Sequence, residues 1–194
     1  MKLLFVIIYL IGCSHFCFSQ KQNEEITIYN WSEIQDAHPD TIYGISFAKL
    51  KLETLPSELA NFKNLRILDL RKNRISEIPN FMFGFEKLEI IDLEKNKLET
   101  FPVEFCRLFS LKQIKIGYNY FGSIPSCIGN LSNLEYLDLY DNPLGDLPTS
   151  LANLPNLKKV DLSGIRFSPS FQNSWKARLP MVELVFDAPC DCME

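Results

Sequence analysis

Histidine is almost missing from this chain of 194 residues, with only His15 and His38 present. That scarcity handicaps hydrolytic triads and zinc sites, which use histidine as base or ligand. No block of lysine or arginine occurs and the formal net charge is −4, so no nucleic-acid-binding surface is expected. Eight glycines and eleven prolines are too few for a collagen-like or low-complexity polymer. The sequence contains no G-x-S-x-G, no H-E-x-x-H, no glycine-rich phosphate loop and no dinucleotide fingerprint. His38 stands before Pro39 with no nucleophile and orienting group in view, and reads as a solvated or structural histidine. The expectation is a chain that is not an enzyme and uses no cofactor or metal. The 46% of hydrophobic residues and 23% of charged ones are ordinary for a folded domain, which excludes a disordered polymer.

The one long apolar run lies at the start, MKLLFVIIYLIGCSHFCFSQ. Lys2 precedes apolar residues from Leu3 to Ile11, a run too short to span a bilayer as a helix, and small or polar residues follow it. This is the layout of an export signal, bacterial in look, and residues 1–19 are read as one. Signal peptidase cutting after Ser19 would release a secreted or periplasmic protein. Alternatively Leu10-Ile11-Gly12-Cys13 resembles a lipobox, with Cys13 lipidated and anchored at the cell envelope. Phe16 and Phe18 argue against that route, because a lipoprotein tether is usually polar. Cys13 is the only membrane link expected.

A period of 23 residues governs the rest of the chain. Six blocks, here called coils 1 to 6, begin at Ile42, Leu65, Leu88, Leu111, Leu134 and Leu157. The clearest read LRILDLRKNRISEIP, LEIIDLEKNKLETFP, LKQIKIGYNYFGSIP and LEYLDLYDNPLGDLP. Each has apolar residues at positions 1, 4, 6 and 11, asparagine at 9, and an apolar-Pro pair at 14 and 15. Positions 4 and 6 face the same side of a short strand. One such strand cannot bury its apolar edge alone, but stacked copies share a core beneath a parallel sheet. Asn73, Asn96, Asn119 and Asn142 fall where the chain leaves the sheet, and their amides are expected to bond backbone groups of the next coil. Pro79, Pro102, Pro125 and Pro148 keep the returning segment out of strand pairing. Apolar pairs three apart, such as Phe105 and Leu108, suit helical or 3₁₀ turns on the outer face.

These lines resemble the leucine-rich-repeat family, in its 23-residue class with Leu-Pro or Ile-Pro after the asparagine, from about residue 42 to residue 187. The resemblance implies an α/β fold: a right-handed solenoid with a concave parallel sheet and short helical or 3₁₀ turns on the convex side. It also implies the family's usual role, binding a protein or peptide. The expected layout is an N-terminal cap at 20–41, repeats at 42–164, and a degenerate last repeat with C-terminal cap at 165–194. In the first cap, Ser32 and Gln35 form a capping-box pattern, with Trp31, Ile34 and Ala37 on one side of a short helix. In the last, Val182 to Val185 match the strand start 25 residues after Leu157 and read as a closing strand.

Side chains at positions 2, 3, 5, 7 and 8 are expected on the exposed concave face. Position 5 runs Ser46, Asp69, Asp92, Lys115, Asp138, Asp161, and position 8 runs Lys49, Lys72, Lys95, Tyr118, Asp141, Gly164. Asp69 beside Asp92 is a like-charge pair that Arg71 and the lysines can offset. Tyr118, Tyr136 and Tyr140 share this face and Tyr120 its rim, supplying large contact area at small entropic cost. The candidate partner-binding residues are therefore Tyr118, Tyr136, Tyr140, Lys115, Asp92 and Asp138. The leading reading is an exported module that binds a protein or peptide there; the other is a glycan- or envelope-binding protein using the tyrosines as stacking platforms. Four cysteines lie beyond the export segment. Cys106 and Cys127 fall on outer turns of neighbouring coils, and pairing among these two, Cys190 and Cys192 stays open.

Overall fold

A computed structural model describes residues 25–187. The proposed export segment, Cys13, Cys190 and Cys192 lie outside them. Each coil opens with a strand of three residues: β2 Gly44–Ser46, β3 Ile67–Asp69, β4 Ile90–Asp92, β5 Gln113–Lys115, β6 Tyr136–Asp138 and β7 Lys159–Asp161. They are flanked by β1 Tyr29–Asn30 and β8 Glu183–Val185 in one parallel sheet whose spatial order is the order of the sequence. The repeat sets the register, so that Leu68 lies beside Ile91 and Asp69 beside Asp92.

The pattern of positions 4 and 6 becomes the core. Ile45, Leu68, Ile91, Ile114, Leu137 and Val160 are fully buried, as are Phe47, Leu70, Leu93, Ile116, Leu139 and Leu162. Each such burial contributes about 1.5–3 kcal/mol. On the far side the chain forms five-residue 3₁₀ turns, as at Val103–Arg107 and Ser126–Asn130, which send Phe105 and Ile128 back into the same core. The prolines do more than block pairing. Each precedes a 3₁₀ turn, and its carbonyl accepts the N–H three residues on, as Pro102 accepts from Phe105 at 3.2 Å.

The asparagine ladder forms, but it reaches back to the preceding coil. The Asn96 amide donates to Leu70 O at 3.0 Å and to Leu93 O of its own coil at 3.0 Å. Its oxygen accepts the N–H of Ile75, also in the preceding coil, at 3.1 Å. Asn73 and Asn119 repeat this pattern, while the Asn142 oxygen takes the N–H of Asn119 at 3.2 Å. On the opposite flank, Asn64, Ser110, Asn133 and Asn156 each donate to a carbonyl 24 residues earlier, a second ladder that the strand-centred repeat does not reveal.

Both caps differ in detail from the sequence reading. The capping box is made by Asn30 and Glu33, not Ser32 and Gln35, and it opens a single 3₁₀ turn, Trp31–Glu33. Gln35 instead donates to Trp31 O at 2.7 Å. Trp31 nevertheless covers the first coil, stacked on Phe47 with ring centroids 4.8 Å apart, and Ile34 is buried. At the other end PSFQNSWKAR forms the helix α1, Pro169–Arg178, capped by the Ser168 hydroxyl. It buries Trp175 against the last coils. The closing strand pairs Val160 with Leu184, an offset of 24 residues rather than 25. Leu184 and Val182 pack against the core, and Met181 is 91% exposed.

Candidate binding surface

The concave face sorts the candidate residues by depth. Asp92 and Asp138 were expected as exposed side chains, but both are buried, as is Asp69. The reason is local. A carboxylate at position 5 turns down the strand end and accepts the backbone N–H two residues on. Asp92 accepts from Glu94 at 3.2 Å, Asp138 from Tyr140 at 2.9 Å and Asp161 from Ser163 at 3.0 Å. These aspartates shape the turns out of the sheet as well as lining it.

Their charge states differ with their partners. Burial pushes the Asp69 carboxyl up, but hydrogen bonds and charge from Arg71 outweigh it, and the net shift is downward. The Arg71 guanidinium grips Asp69 at 2.8 and 2.9 Å and reaches Asp92 at 3.5 Å, which offsets the like-charge pair. Asp92 has no comparable clasp, and burial lifts it to about 6. Burial raises Asp138 as well, and the negative field of Asp161 adds to it. Lys115 stands between Asp92 and Asp138 in the ladder. Among the described residues it forms no ion pair.

The tyrosines also divide. Tyr118 is 41% exposed and Tyr120, on the rim, 64%. Tyr136 and Tyr140 are half-buried. Tyr136 lies between Gln113 and Lys159 of the neighbouring strands, and burial together with Asp138 and Asp161 pushes its phenol up to about 12. Tyr118 and Tyr140 form an edge-to-face pair with centroids 5.1 Å apart. The Lys95 ammonium sits 4.9 Å from the Tyr118 ring centre. Gly117 makes room for this group: a Cβ there would come within 3.2 Å of Tyr140 Cβ and 3.1 Å of Tyr140 O. The structure thus pairs an exposed Tyr118 with a half-buried Tyr140, leaves Lys115 and Tyr136 half-buried on β5 and β6, and sets Asp92 and Asp138 into the floor.

Along position 2 the charges alternate in a row that the strand pattern does not single out. Arg66 meets Glu89 at 2.6 Å, Lys112 meets Glu89 at 2.6 Å, and Lys158 meets Glu135 at 2.6 Å. Its signal in the sequence is one position read down coils 2 to 6. Two surface depressions lie off the concave face. One of about 490 Å³ is lined by Phe83, Glu86, Arg107 and Phe109, and one of about 450 Å³ lies beside Trp175 and Arg178. On the convex side Cys106 and Cys127 form a disulfide across neighbouring coils, with Cα atoms 5.5 Å apart. Among the described residues no group of three or more His, Cys, Asp or Glu side chains is placed to hold a metal ion.

Two sequence models of one family match this chain: "Leucine rich repeat" over residues 63–121 and "Leucine Rich repeats (2 copies)" over residues 132–172. The chain is a leucine-rich-repeat protein. Solved leucine-rich-repeat structures share its fold. A leucine-rich-repeat protein of Leptospira interrogans superposes with a TM-score of 0.66 at 25% identity, over 83% of this chain and 47% of that one. Internalin C2 of Listeria monocytogenes gives 0.60 at 24% identity, over 75% and 62%. A plant peptide hormone receptor in complex with its peptide gives 0.62 at 29% identity, over 76% and 24%. The chain therefore spans less than two thirds of each of these leucine-rich-repeat proteins. Among curated proteins no sequence matches it significantly.

Proposed function

We propose that the protein is an exported, non-enzymatic recognition module that binds a protein or peptide segment on its concave face. The observation that carries this reading is the Tyr118–Tyr140 pair, with Tyr118 exposed, Lys95 over its ring and Gly117 leaving room for it. Rings fixed before binding lose little freedom when a partner docks. The Cys106–Cys127 bond is of the kind that persists in oxidising compartments, which supports export. Release after Ser19 is the route proposed, with lipidation at Cys13 the alternative; the intact mass of protein from its native host separates the two. That a plant receptor of like fold holds a peptide hormone supports a peptide as the partner.

The test is capture of partners from the host's exported fraction, then titration. Tyr118→Ala and Tyr140→Ala should each weaken binding by about 1–2 kcal/mol, as central aromatic contacts do. The fold should survive, because Ile114, Ile116, Leu137 and Leu139 hold the core beneath. Glu104→Ala, on the convex side, should leave affinity unchanged. Unaltered binding by both tyrosine variants would remove the patch, and a loss with Glu104→Ala would move the site to the other face.

A further inference from the structure

Two rows of cations run beyond the strand ends on coils 1 to 3. Lys49, Lys72 and Lys95 occupy position 8, and Lys51, Arg74 and Lys97 occupy position 10. All six are exposed, and among the described residues none makes an ion pair. Lys95 alone has another partner, the Tyr118 ring. Beyond the buried Asp69 and Asp92 of the strands the acids of these coils near the rows are fewer: Glu94 at position 7, Glu53 and Glu99 at position 12, and Glu77 at position 13. The row at position 2 is the contrast, since Arg66, Lys112 and Lys158 each meet a glutamate there. The cations are invisible as a block in the sequence because 23 residues separate each from the next.

The rows are rigid. Lys49 N donates to Arg71 O at 2.9 Å, Lys72 N to Glu94 O at 2.8 Å and Lys95 N to Gly117 O at 3.0 Å. In the second row Arg74 N donates to Leu52 O at 2.7 Å and Lys97 N to Ile75 O at 2.9 Å. These coil-to-coil bonds hold each row near the strand spacing of about 4.8 Å. The backbone is also strained toward this arrangement. Lys49, Lys51, Lys72 and Lys95 have φ of 65°, 59°, 57° and 57°. A side chain with a Cβ in that left-handed region costs about 1–2 kcal/mol, which glycine avoids. Gly164 shows the strain-free choice at position 8 of coil 6, with φ 75°. Tyr118 and Asp141 share that conformation at position 8 of coils 4 and 5, with φ of 56° and 52°, so the left-handed turn belongs to every coil and the lysines are what sets coils 1 to 3 apart.

We infer that this rim binds an anionic polysaccharide, a uronate chain laid across coils 1 to 3 with its acidic groups against the two rows. The spacing favours a sugar chain over an acidic peptide. The same-face acidic groups of a two-fold uronate chain recur every second unit, about 9–10 Å, close to the span of two coils at the strand spacing of about 4.8 Å, so they stay in step with every second coil. Same-face side chains of an extended peptide recur every ~6.6 Å and fall out of step within three coils. The rim has no deep pocket for an apolar anchor, so recognition is by repeated charge, with affinity that falls as salt rises. This surface adjoins the tyrosine patch at Lys95, which lies over the Tyr118 ring, and the other five cations take no part in that patch.

The experiment titrates the full chain with fluorescently labelled oligogalacturonate, neutral dextran of equal length, and polyglutamate of equal charge, at low and high salt. Oligogalacturonate should bind best and dextran not at all. Lys72→Asn/Arg74→Gln/Lys95→Asn should weaken oligogalacturonate binding about tenfold or more, as removal of three surface cations does at an anionic surface. Asparagine tolerates the left-handed backbone, so circular dichroism should be unchanged; the single exposed reversal Lys97→Glu gives a second reading. Lys63→Gln/Lys87→Gln/Lys176→Gln removes the same charge elsewhere and should leave binding intact. No binding of oligogalacturonate, or an equal loss in that control, overturns the inference. Polyglutamate binding as tightly as the sugar chain also overturns it and assigns the rim to an acidic protein segment.

Discussion

Coils 1 to 3 and coils 4 to 6 have the same interior and opposite rims. Positions 4 and 6 are fully buried in all six, and asparagine at position 9 pairs in coils 2 to 5. Yet position 8 runs Lys49, Lys72, Lys95 in one half and Tyr118, Asp141, Gly164 in the other. The interior is fixed because each coil must fit the next, whereas a rim side chain answers only to solvent and partners. The seam between the halves is pinned on both faces. Cys106 of coil 3 is bonded to Cys127 of coil 4 on the outside, and Lys95 of coil 3 lies over Tyr118 of coil 4 on the inside. One chain can therefore hold two differently equipped surfaces on a single continuous core.

Cutting the seam should have the largest effect. The disulfide closes a segment of 21 residues, so Cys106→Ser/Cys127→Ser should cost about 3 kcal/mol in urea unfolding. A single cooperative transition should remain, and a split into two transitions would show that the halves fold as separate units. Next, Asn96→Ala and Asn142→Ala should each cost about 1–3 kcal/mol, since each leaves buried backbone groups unpaired. Arg74→Ala, on the rim, should stay within about 0.5 kcal/mol. If Asn142→Ala proved as mild as Arg74→Ala, the interior would not be common to the halves.

The smallest effect concerns the aspartates of coils 2 and 3. The folded Asp92 carboxyl titrates near 6 against an ordinary 3.8, so the folded state binds its proton more tightly than the unfolded chain does. Raising the pH from about 4 through 6 should therefore cost stability through this group. Asp92→Asn keeps the acceptor for the Glu94 N–H and removes the charge. It should stabilise by about 1 kcal/mol at pH 7, allowing for solvent screening, and do little near pH 4. Asp69 is shifted the other way by Arg71, so its contribution is present above the ordinary carboxylate range and is lost on acidification. Asp69→Asn should destabilise at pH 7. Thermal melts across this range read both, and matching signs for the two would erase the distinction between the coils.

The central coils are legible in the sequence because one spacing fixes strand, turn and core together. The ends are not. β1 is two exposed residues whose pairing comes from the edge that Ile45 and Ser46 offer, not from their own pattern. The closing strand sits one residue off the expected phase because Val182 to Val185 give only a weak alternation. On the candidate surface, alternation correctly sends Tyr118 outward but reads Asp92 and Asp138 as equally open. Alternation is blind to a short side chain that folds back on its own backbone. The row of lysines at position 8 is legible in the repeat, but position 10 lies outside the strand, so no strand pattern brings Lys51, Arg74 and Lys97 beside it.

The sulfur bridge between coils 3 and 4 also has a mechanical consequence. Each coil touches only its neighbours, so a pull on the two ends would peel coils from either tip in succession. The bond between Cys106 and Cys127 cannot be peeled, and tension arriving there runs through the covalent link instead of the intervening strand β5. Stretched between a surface and a partner, the protein would lengthen from its tips and then stop. The 20 residues inside the loop would remain as a reserve that only a reductant releases.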